Sequence, residues 1–97
     1  AKALQDAGAD IVLLECIPSE LGAHITQRVS VPVIGIGAGP DVDGQILVLY
    51  DLLDITAGRK PRFVKNFMEG AASPLDAVKR YVAAVRDRSY PAPEHCF

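Results

Sequence analysis

The chain has 97 residues, of which 49% are hydrophobic and 23% charged, and its formal net charge is −2. This length allows one small domain, and a slightly acidic chain without a basic block is a poor partner for nucleic acid or anionic membranes. No apolar run approaches the roughly 20 residues of a membrane-spanning helix. The chain shows no signal-peptide pattern and no disulfide or zinc spacing of cysteines, so we predict a reduced, cytoplasmic protein.

The first elements in chain order are a helix end, a strand and a second helix. Residues 1–7 read as the last turns of a helix closed by Gly8, and because no methionine or N-cap precedes them, we expect the back part of a longer protein. Residues 11–14 are a continuous β-rich apolar run, which predicts a strand buried on both faces. Residues 18–29 then predict a helix, with proline in its first turn and apolar residues at four-residue spacing: Leu21, Ile25 and Val29.

A second buried strand is predicted over residues 32–36. It starts roughly 21 residues after the first strand, a distance that fits a β-α-β unit with a right-handed crossover. Glycines follow at 35, 37 and 39, but Pro40 stands where a dinucleotide-binding fingerprint needs its third glycine, which excludes a Rossmann site. Two interpretations of the glycines stay open: a backbone that passes close to a ligand or neighbouring chain, and a tight turn.

The apolar block after the glycines allows two predictions. Residues 46–50 are β-rich and could form a strand, but only six residues separate Gly39 from Ile46, and a parallel crossover needs a dozen or more. We therefore predict a helix over residues 43–53 with Asp43 as its N-cap, and the strand remains the alternative. With that helix, the third strand falls at residues 62–64.

The last predicted helix covers residues 74–88, and an irregular proline-rich tail follows over residues 89–97. Ser73 is its expected N-cap, and its apolar stripe consists of Leu75, Val78, Val82 and Val85. The alternation of strands and helices predicts an α/β fold with a parallel sheet. Two or three strands cannot close their edges or cover both faces, so we expect further strands from an N-terminal part.

Glu15 is the leading candidate for chemistry. It follows the first apolar strand directly, and parallel α/β proteins place their ligands beyond the carboxyl ends of such strands. A carboxylate there can serve as a general base or as a hydrogen-bond acceptor. The alternative is a solvated carboxylate at the start of a loop.

The other polar groups favour structural interpretations. A group of four aspartates matches no metal-binding loop: Asp41, Asp43, Asp51 and Asp54. Four basic residues follow, and they favour a solvated loop over a site for an anionic substrate tail or a subunit: Arg59, Lys60, Arg62 and Lys65. His24 is expected on the surface of its helix, and His95 has no partner nearby in sequence. Cys16 favours an inert core thiol over a nucleophile.

Five segments together resemble the ketopantoate hydroxymethyltransferase family. They are LECIP at 14–18, PVIGIGAG at 32–39, DGQILV at 43–48, FVKNF at 63–67, and the ending with YP at 90–91, EH at 94–95 and a final Phe97. The resemblance runs in order through essentially all 97 residues. The set is specific, although no single segment would be.

The resemblance implies a (β/α)8 TIM barrel of the phosphoenolpyruvate/pyruvate superfamily, of which residues 1–97 are the C-terminal segment. It implies transfer of a hydroxymethyl group from 5,10-methylenetetrahydrofolate to 3-methyl-2-oxobutanoate, giving 2-dehydropantoate for pantothenate biosynthesis. It also implies a Mg²⁺ ion and a large homo-oligomer, often a decamer.

One functional residue carries over from the resemblance: Glu15 corresponds to the family's proton acceptor. No residue here matches the family's metal ligands, so the resemblance implies that they lie outside this chain and that the chain is inactive alone. Asp54 departs from the family, which usually has a glycine there. A hypothesis of another class is a non-catalytic assembly fragment that packs against partner subunits through its exposed sheet edges.

Overall fold

The computed structural model describes residues 1–97 as an α/β fold with a small parallel sheet. In chain order the elements are α1 (Lys2–Asp6), β1 (Val12–Glu15), α2 (Ser19–Arg28), β2 (Val33–Ile36), β3 (Gly44–Gln45), α3 (Leu49–Leu52), α4 (Pro74–Arg86) and a short 3-10 helix (Pro93–His95). The strand order in the sheet is β1-β2-β3. The first helix ends at Asp6 with Ala7 as its C-cap, and the glycine predicted to close it, Gly8, follows with a positive φ of 106°. None of the helices has the length and apolarity needed to cross a membrane.

The predicted β-α-β unit is confirmed, because β1 and β2 pair in parallel and α2 connects them. Helix α2 packs closely over one face of the sheet: a Cβ at Gly22 would lie 2.4 Å from the carbonyl oxygen of Ala38. Val12 on β1 is only 3% exposed, whereas its neighbour Leu13, which points to the other face, is 54% exposed. The prediction that the first strand is buried on both faces is therefore wrong within this chain, since only one face has a helix against it.

The structure corrects the predictions for residues 43–53 and 62–64. A two-residue strand replaces the start of the predicted helix, the only helical turn there is α3, and residues 62–64 form no strand. Asp43 is not an N-cap: its N–H donates to the carbonyl of Val33 (2.9 Å), and its Oδ2 accepts from the Val33 N–H (2.8 Å). The alternative strand over 46–50 is also wrong in its bounds, although the sheet does continue here.

A short connection suffices for this parallel pairing because the pairing is itself short. Gly44 lies opposite Ile34 and Gln45 opposite Gly35. After β2 the chain therefore returns only two residues, about 7 Å along the strand direction, before β3 begins, rather than a full strand length. Gly37 and Gly39 make this reversal possible with positive φ angles of 65° and 82°. The crossover minimum assumes strands paired along their whole length, which β3 is not.

The backbone conformation of Asp54 explains why the family that this chain resembles usually has a glycine at this position. It follows the C-cap of α3 and has a positive φ of 59°, the left-handed position that glycine normally takes after a helix. Its carboxylate forms an ion pair with Lys60 and accepts a hydrogen bond from Asn66. The departure thus adds polar contacts at a strained residue.

Helix α4 begins where predicted but buries a different face. Ser73 is its N-cap, with Oγ accepting from the Asp76 N–H at 3.1 Å. Two members of the predicted apolar stripe are exposed, Leu75 by 64% and Val82 by 38%, while Ala77 is fully buried. The predicted stripe is therefore wrong in part.

An aromatic cluster accounts for this choice of face. Phe67, Tyr81 and Tyr90 pack edge to face, with ring centroids 5.3 to 5.9 Å apart. Ala77 and Ala84 belong to the same buried cluster, because small side chains let α4 approach the rings closely. The Tyr90 hydroxyl donates to the carbonyl oxygen of Phe63 and so ties this cluster to the sheet, where the Phe63 ring lies against Gly37.

The tail is less irregular than predicted. His95 lies in the 3-10 helix, and its Nδ1 accepts a hydrogen bond from the Ala92 N–H at 3.0 Å. The chain as a whole is elongated, with a radius of gyration of 14.1 Å, against the 12 to 13 Å or so typical of a domain this long. The elements thus form two packed regions, the sheet with α2 and the aromatic cluster with α4, with Phe63 between them.

The first prediction compares two buried tyrosine hydroxyls. Tyr90→Phe should lower the free energy of unfolding by about 1–3 kcal/mol, because it leaves the buried Phe63 carbonyl without its donor. Tyr81→Phe is the matched control, since the Tyr81 hydroxyl is buried without a partner and its removal should be neutral or slightly stabilising. Urea unfolding of both variants measures the difference, and equal losses would contradict the assigned hydrogen bond.

The second prediction concerns pH and His95. Burial is the main cause that lowers the pKa of His95 from 6.5; the nearby Glu94 opposes the shift and Lys65 adds to it. The unfolded chain then takes up the proton at a higher pH than the folded chain does. The stability contributed by the neutral ring is present above pH 6.5 and is lost as pH falls through the lower folded pKa.

His95→Asn is the control for this effect, because its amide oxygen can accept from the Ala92 N–H but does not titrate. Unfolding free energies measured between about pH 7 and pH 5 should fall more steeply in the parent chain than in the variant. Parallel pH profiles would show that His95 does not couple protonation to folding.

Candidate active site

The carboxyl ends of β1 and β2 meet at one edge of the sheet, as predicted, and Glu15 is the last residue of β1. The pairing continues past both strands: Cys16 N–H donates to the Ile36 carbonyl (2.9 Å), and Ile17 N–H donates to the Gly37 carbonyl (3.0 Å). This edge, where residues 15–19 meet residues 36–39, is called the mouth below.

The Glu15 side chain projects from the face of the sheet that has no helix against it, the uncovered face, although Ile36, its register partner on β2, is only 7% exposed. Because side chains alternate along a strand, Glu15 shares a face with the exposed Leu13 and lies opposite the face of the buried Val12. Glu15 is itself exposed, and its carboxylate accepts no hydrogen bond and forms no ion pair within the chain. Its oxygens are therefore free to accept a proton or a hydrogen bond from a ligand.

Cys16 holds a strained backbone immediately after Glu15. Its φ is 54°, in the left-handed region, which costs a non-glycine residue on the order of 1 to 3 kcal/mol. The hydrogen bonds of Cys16 and Ile17 to β2 hold it there and turn the chain toward Pro18, the N-cap of α2. Its thiol is free and the residue is exposed, so the prediction of a core thiol is wrong.

The glycines of the mouth allow close packing against the chain's own residues. A Cβ at Gly37 would lie 2.6 Å from the Phe63 ring, and one at Gly39 would lie 2.5 Å from Ser19 Oγ. The sequence left two interpretations of these glycines open: a tight turn, and a backbone that passes close to a ligand or neighbouring chain. The structure shows that the chain reverses here and that the glycines lie close to other segments of the same chain.

Phe97 contacts the mouth directly and Arg62 contacts the tail that carries Phe97, and sequence reasoning missed both roles. The main-chain oxygen of Phe97 accepts from the Ser19 N–H at 3.1 Å. Arg62 donates through Nη1 to the Cys96 carbonyl at 3.2 Å, and its guanidinium lies 5.1 Å from the centroid of the Phe97 ring. No spacing or periodicity signals these contacts, because they join segments far apart in sequence.

The acidic residues have separate partners rather than a common centre. Asp41 pairs with Arg88 at 2.6 Å, Asp51 Oδ1 accepts from Thr56 Oγ1 at 2.6 Å, and the contacts of Asp43 and Asp54 are given above. No group of three or more histidine, cysteine, aspartate or glutamate side chains in the chain could hold a metal ion. The residues present therefore do not fit a Mg²⁺ site of their own.

Three of the four basic residues at 59–65 are exposed, as predicted, and three of the four also make contacts within the chain. Lys60 is engaged by Asp54, and Lys65 Nζ lies 5.2 Å from the centroid of the Phe67 ring. Arg62 contacts the tail as described, whereas Arg59 is exposed. The solvated-loop prediction is therefore confirmed for the exposed Arg59, Arg62 and Lys65, whereas Lys60 is half-buried beside Asp54.

Comparisons with known proteins identify the family of the chain. A profile of the ketopantoate hydroxymethyltransferase family matches residues 1–93. The chain is 60% identical over 94 residues to a 3-methyl-2-oxobutanoate hydroxymethyltransferase of Janthinobacterium sp. (strain Marseille), covering 97% of this chain and 35% of that protein.

Two further relatives carry the same name. The one from Alkalilimnicola ehrlichii is 60% identical over 97 residues, covering 100% of this chain and 35% of the relative. The one from Marinobacter nauticus is 58% identical over 94 residues, covering 97% and 36%. The chain thus spans about 35% of the length of these curated relatives, and by the extent of the profile match it belongs to the ketopantoate hydroxymethyltransferase family.

Proposed function

We propose that this chain is the C-terminal segment of an enzyme that transfers a hydroxymethyl group from 5,10-methylenetetrahydrofolate to 3-methyl-2-oxobutanoate, with Glu15 as the proton acceptor. The product is 2-dehydropantoate, an intermediate of pantothenate biosynthesis. The observation that carries the proposal is an unpaired carboxylate on the uncovered face of the sheet, at the carboxyl end of a parallel strand. Membership of the family and the names of the relatives support the reaction.

The role of Glu15 follows from where the reaction needs a base. The carbon next to the carbonyl of the keto acid must lose a proton before it can form a carbon–carbon bond. A carboxylate can take that proton while the bonding electrons move onto the carbonyl oxygen, giving an enolate. Water cleaves both C–N bonds of the folate's methylene bridge, which gives formaldehyde and tetrahydrofolate as the two folate nitrogens take the hydrogens of the water. The enolate carbon then bonds to the formaldehyde carbon, and the formaldehyde oxygen takes up a proton and becomes the new hydroxyl.

The proposed architecture is a (β/α)8 barrel in which residues 1–97 belong to one domain. The parallel strands, the helix on one face and the bare opposite face support it, because the inward side of a barrel sheet is covered by the other strands. In a complete barrel, Leu13 would face the interior and Glu15 would lie at its catalytic end. A cytoplasmic homo-oligomer is part of the same proposal.

Mg²⁺ is proposed to bind outside this chain. The residues present do not fit a metal site, so we assign them no part in holding the ion and derive no step through it. Their contribution is confined to Glu15 and to the groups that hold it in place.

The role of Glu15 as proton acceptor can be tested in a chimera, in which residues 1–97 replace the matching segment of the Janthinobacterium relative. Glu15→Gln should lower turnover by about 10²- to 10⁴-fold, the usual contribution of a positioned general base, because the amide cannot accept the proton. Mg²⁺ binding should persist. Folate-dependent formation of 2-dehydropantoate measures turnover.

Glu20→Gln is the matched control, since Glu20 is also an exposed glutamate and lies in the first turn of α2. It should leave turnover unchanged. Wild-type turnover in Glu15→Gln would refute the assigned role, and an inactive chimera with an intact fold would count against the proposed reaction for this chain.

A second candidate function is a non-catalytic assembly module. Large apolar side chains stay exposed along the sheet and the segment after β3, among them Leu13, Ile46, Val48, Leu49 and Tyr50. Patches of this kind mark contact surfaces. Light scattering after size exclusion discriminates, because a well-folded monomer of 10.4 kDa would refute the need for a partner.

A further inference from the structure

The proposed role of Glu15 leaves unexplained why the tail packs at the mouth. Ser19 is the first residue of α2, and an N–H in the first turn of a helix has no acceptor within that helix. Its acceptor here is the main-chain oxygen of Phe97, 78 positions further along the chain, at 3.1 Å. The tail therefore closes the amino end of the helix that begins directly after the Glu15 turn.

Arg62 fastens the tail in this position. Its Nη1 donates to the Cys96 carbonyl at 3.2 Å, and its guanidinium lies over the Phe97 ring at 5.1 Å from the centroid. The two contacts hold consecutive residues from one side chain. A planar guanidinium can satisfy both at once, because its rigid fork offers donors in the plane and a cationic face above it.

The upstream part of the tail is tied to itself. His95 Nδ1 accepts from the Ala92 N–H at 3.0 Å, and Cys96 Sγ donates to the Ala92 carbonyl at 3.3 Å. Both bonds shape the 3-10 helix that leads into Phe97. The approach of Phe97 to Ser19 thus results from local structure in the tail together with Arg62.

The connection from Ser19 back to Glu15 is short and stiff. Cys16 and Ile17 are fixed by hydrogen bonds to β2, and the pyrrolidine ring of Pro18 restricts its φ, which is −56°. Few free rotations remain between the two residues, so a shift of the helix start would move the Glu15 turn rather than be absorbed.

We infer that Phe97 and Arg62 are positioning residues for Glu15: residues 93–97 form a strap that holds the start of α2 and thereby the carboxylate at the mouth. The inference rests on the proposed function in one respect, the role of Glu15 as proton acceptor. The contact between strap and helix stands independently of the reaction.

The substitution Ser19→Pro, made in the chimera, removes the Ser19 N–H and tests the strap. Ser19→Pro suits the helix, because proline is favoured at the first helical position and Pro18 already has the extended ψ of 141° that a residue before proline needs. It abolishes the donor to Phe97 and places a ring carbon against that oxygen. Ser19→Ala is the matched control, since it keeps the N–H and removes a buried hydroxyl that has no partner.

Ser19→Pro should lower kcat by up to about 10²-fold through misplacement of the base, with KM for the keto acid changed less than twofold. The acidic limb of the kcat pH profile should shift as well, because the carboxylate changes its surroundings. Ser19→Ala should lower kcat less than Ser19→Pro and should leave the pH profile closer to that of the parent, because the N–H remains. A structural role alone would lower the yield of folded enzyme without moving the pH profile.

Arg62 supplies a second test if Ser19→Pro does not fold. Arg62→Ala should reproduce the loss of kcat and the pH shift, and Arg62→Lys should restore part of both, because lysine keeps a cation and a donor. Parent values of kcat and of the pH profile in Arg62→Ala, with Glu15→Gln inactive, would overturn the positioning inference and leave the proposed function standing.

Amide hydrogen exchange on the chimera tests the contact without any reaction. The Ser19 N–H should be protected in the parent and should exchange faster in Arg62→Ala, whereas the Cys16 N–H, bound to β2, should change less. An unprotected Ser19 N–H in the parent would refute the strap. Full turnover in Glu15→Gln would overturn the proposed function, and the positioning inference would fall with it.

Discussion

The parallel pairing of β1 and β2 continues beyond both strands, and the rest of the mouth depends on this continuation. The two hydrogen bonds, from Cys16 to Ile36 at the end of β2 and from Ile17 to Gly37 just after it, hold a left-handed residue directly after Glu15. Without them the backbone strain at Cys16 would relax, and the start of α2 would lose its fixed relation to the strand. The carboxylate therefore owes its position to main-chain bonds rather than to partners of its own.

The same continuation constrains the neighbouring loop. Since the Gly37 carbonyl must accept from Ile17, the reversal after β2 begins immediately, and Gly37 has no room for a side chain beside the Phe63 ring. Phe63 in turn is held through its carbonyl by the Tyr90 hydroxyl. The aromatic cluster, far from the sheet in sequence, thus supports the mouth through one ring and one hydrogen bond.

Local sequence patterns predicted the parts of this structure that local physics decides. The β-α-β unit, the position of Glu15 and the Ser73 cap all follow from apolar runs, proline and capping residues within a few positions. The patterns failed where distant contacts decide. β3 is stabilised by its pairing with β2 and by the Asp43 side chain, and the buried face of α4 is chosen by the aromatic rings rather than by its most apolar stripe.

The residues of the candidate site likewise fall into those that local sequence patterns reveal and those that only distant contacts reveal. Glu15 could be found because its signal, a carboxylate after an apolar strand, lies in adjacent residues. Arg62 and Phe97 could not, because an arginine in a basic loop and an aromatic residue in a proline-rich tail carry no periodicity that links them to residue 19. Their connection is visible only in three dimensions, where Phe97 contacts the start of α2 and Arg62 contacts Cys96 and Phe97.

The uncovered face of the sheet and the well-ordered mouth are complementary properties of this chain. Leu13 and Glu15 share that bare face, yet the main chain around Glu15 is fixed by β2, by the turn into α2 and by the tail. A segment built this way presents its carboxylate in a set orientation to whatever covers the face. If the remaining strands of a barrel cover it, as proposed, they can supply the metal and the keto acid site without also having to orient the base. This segment would then hold the proton acceptor in position, and the rest of the enzyme would bind the keto acid that loses the proton.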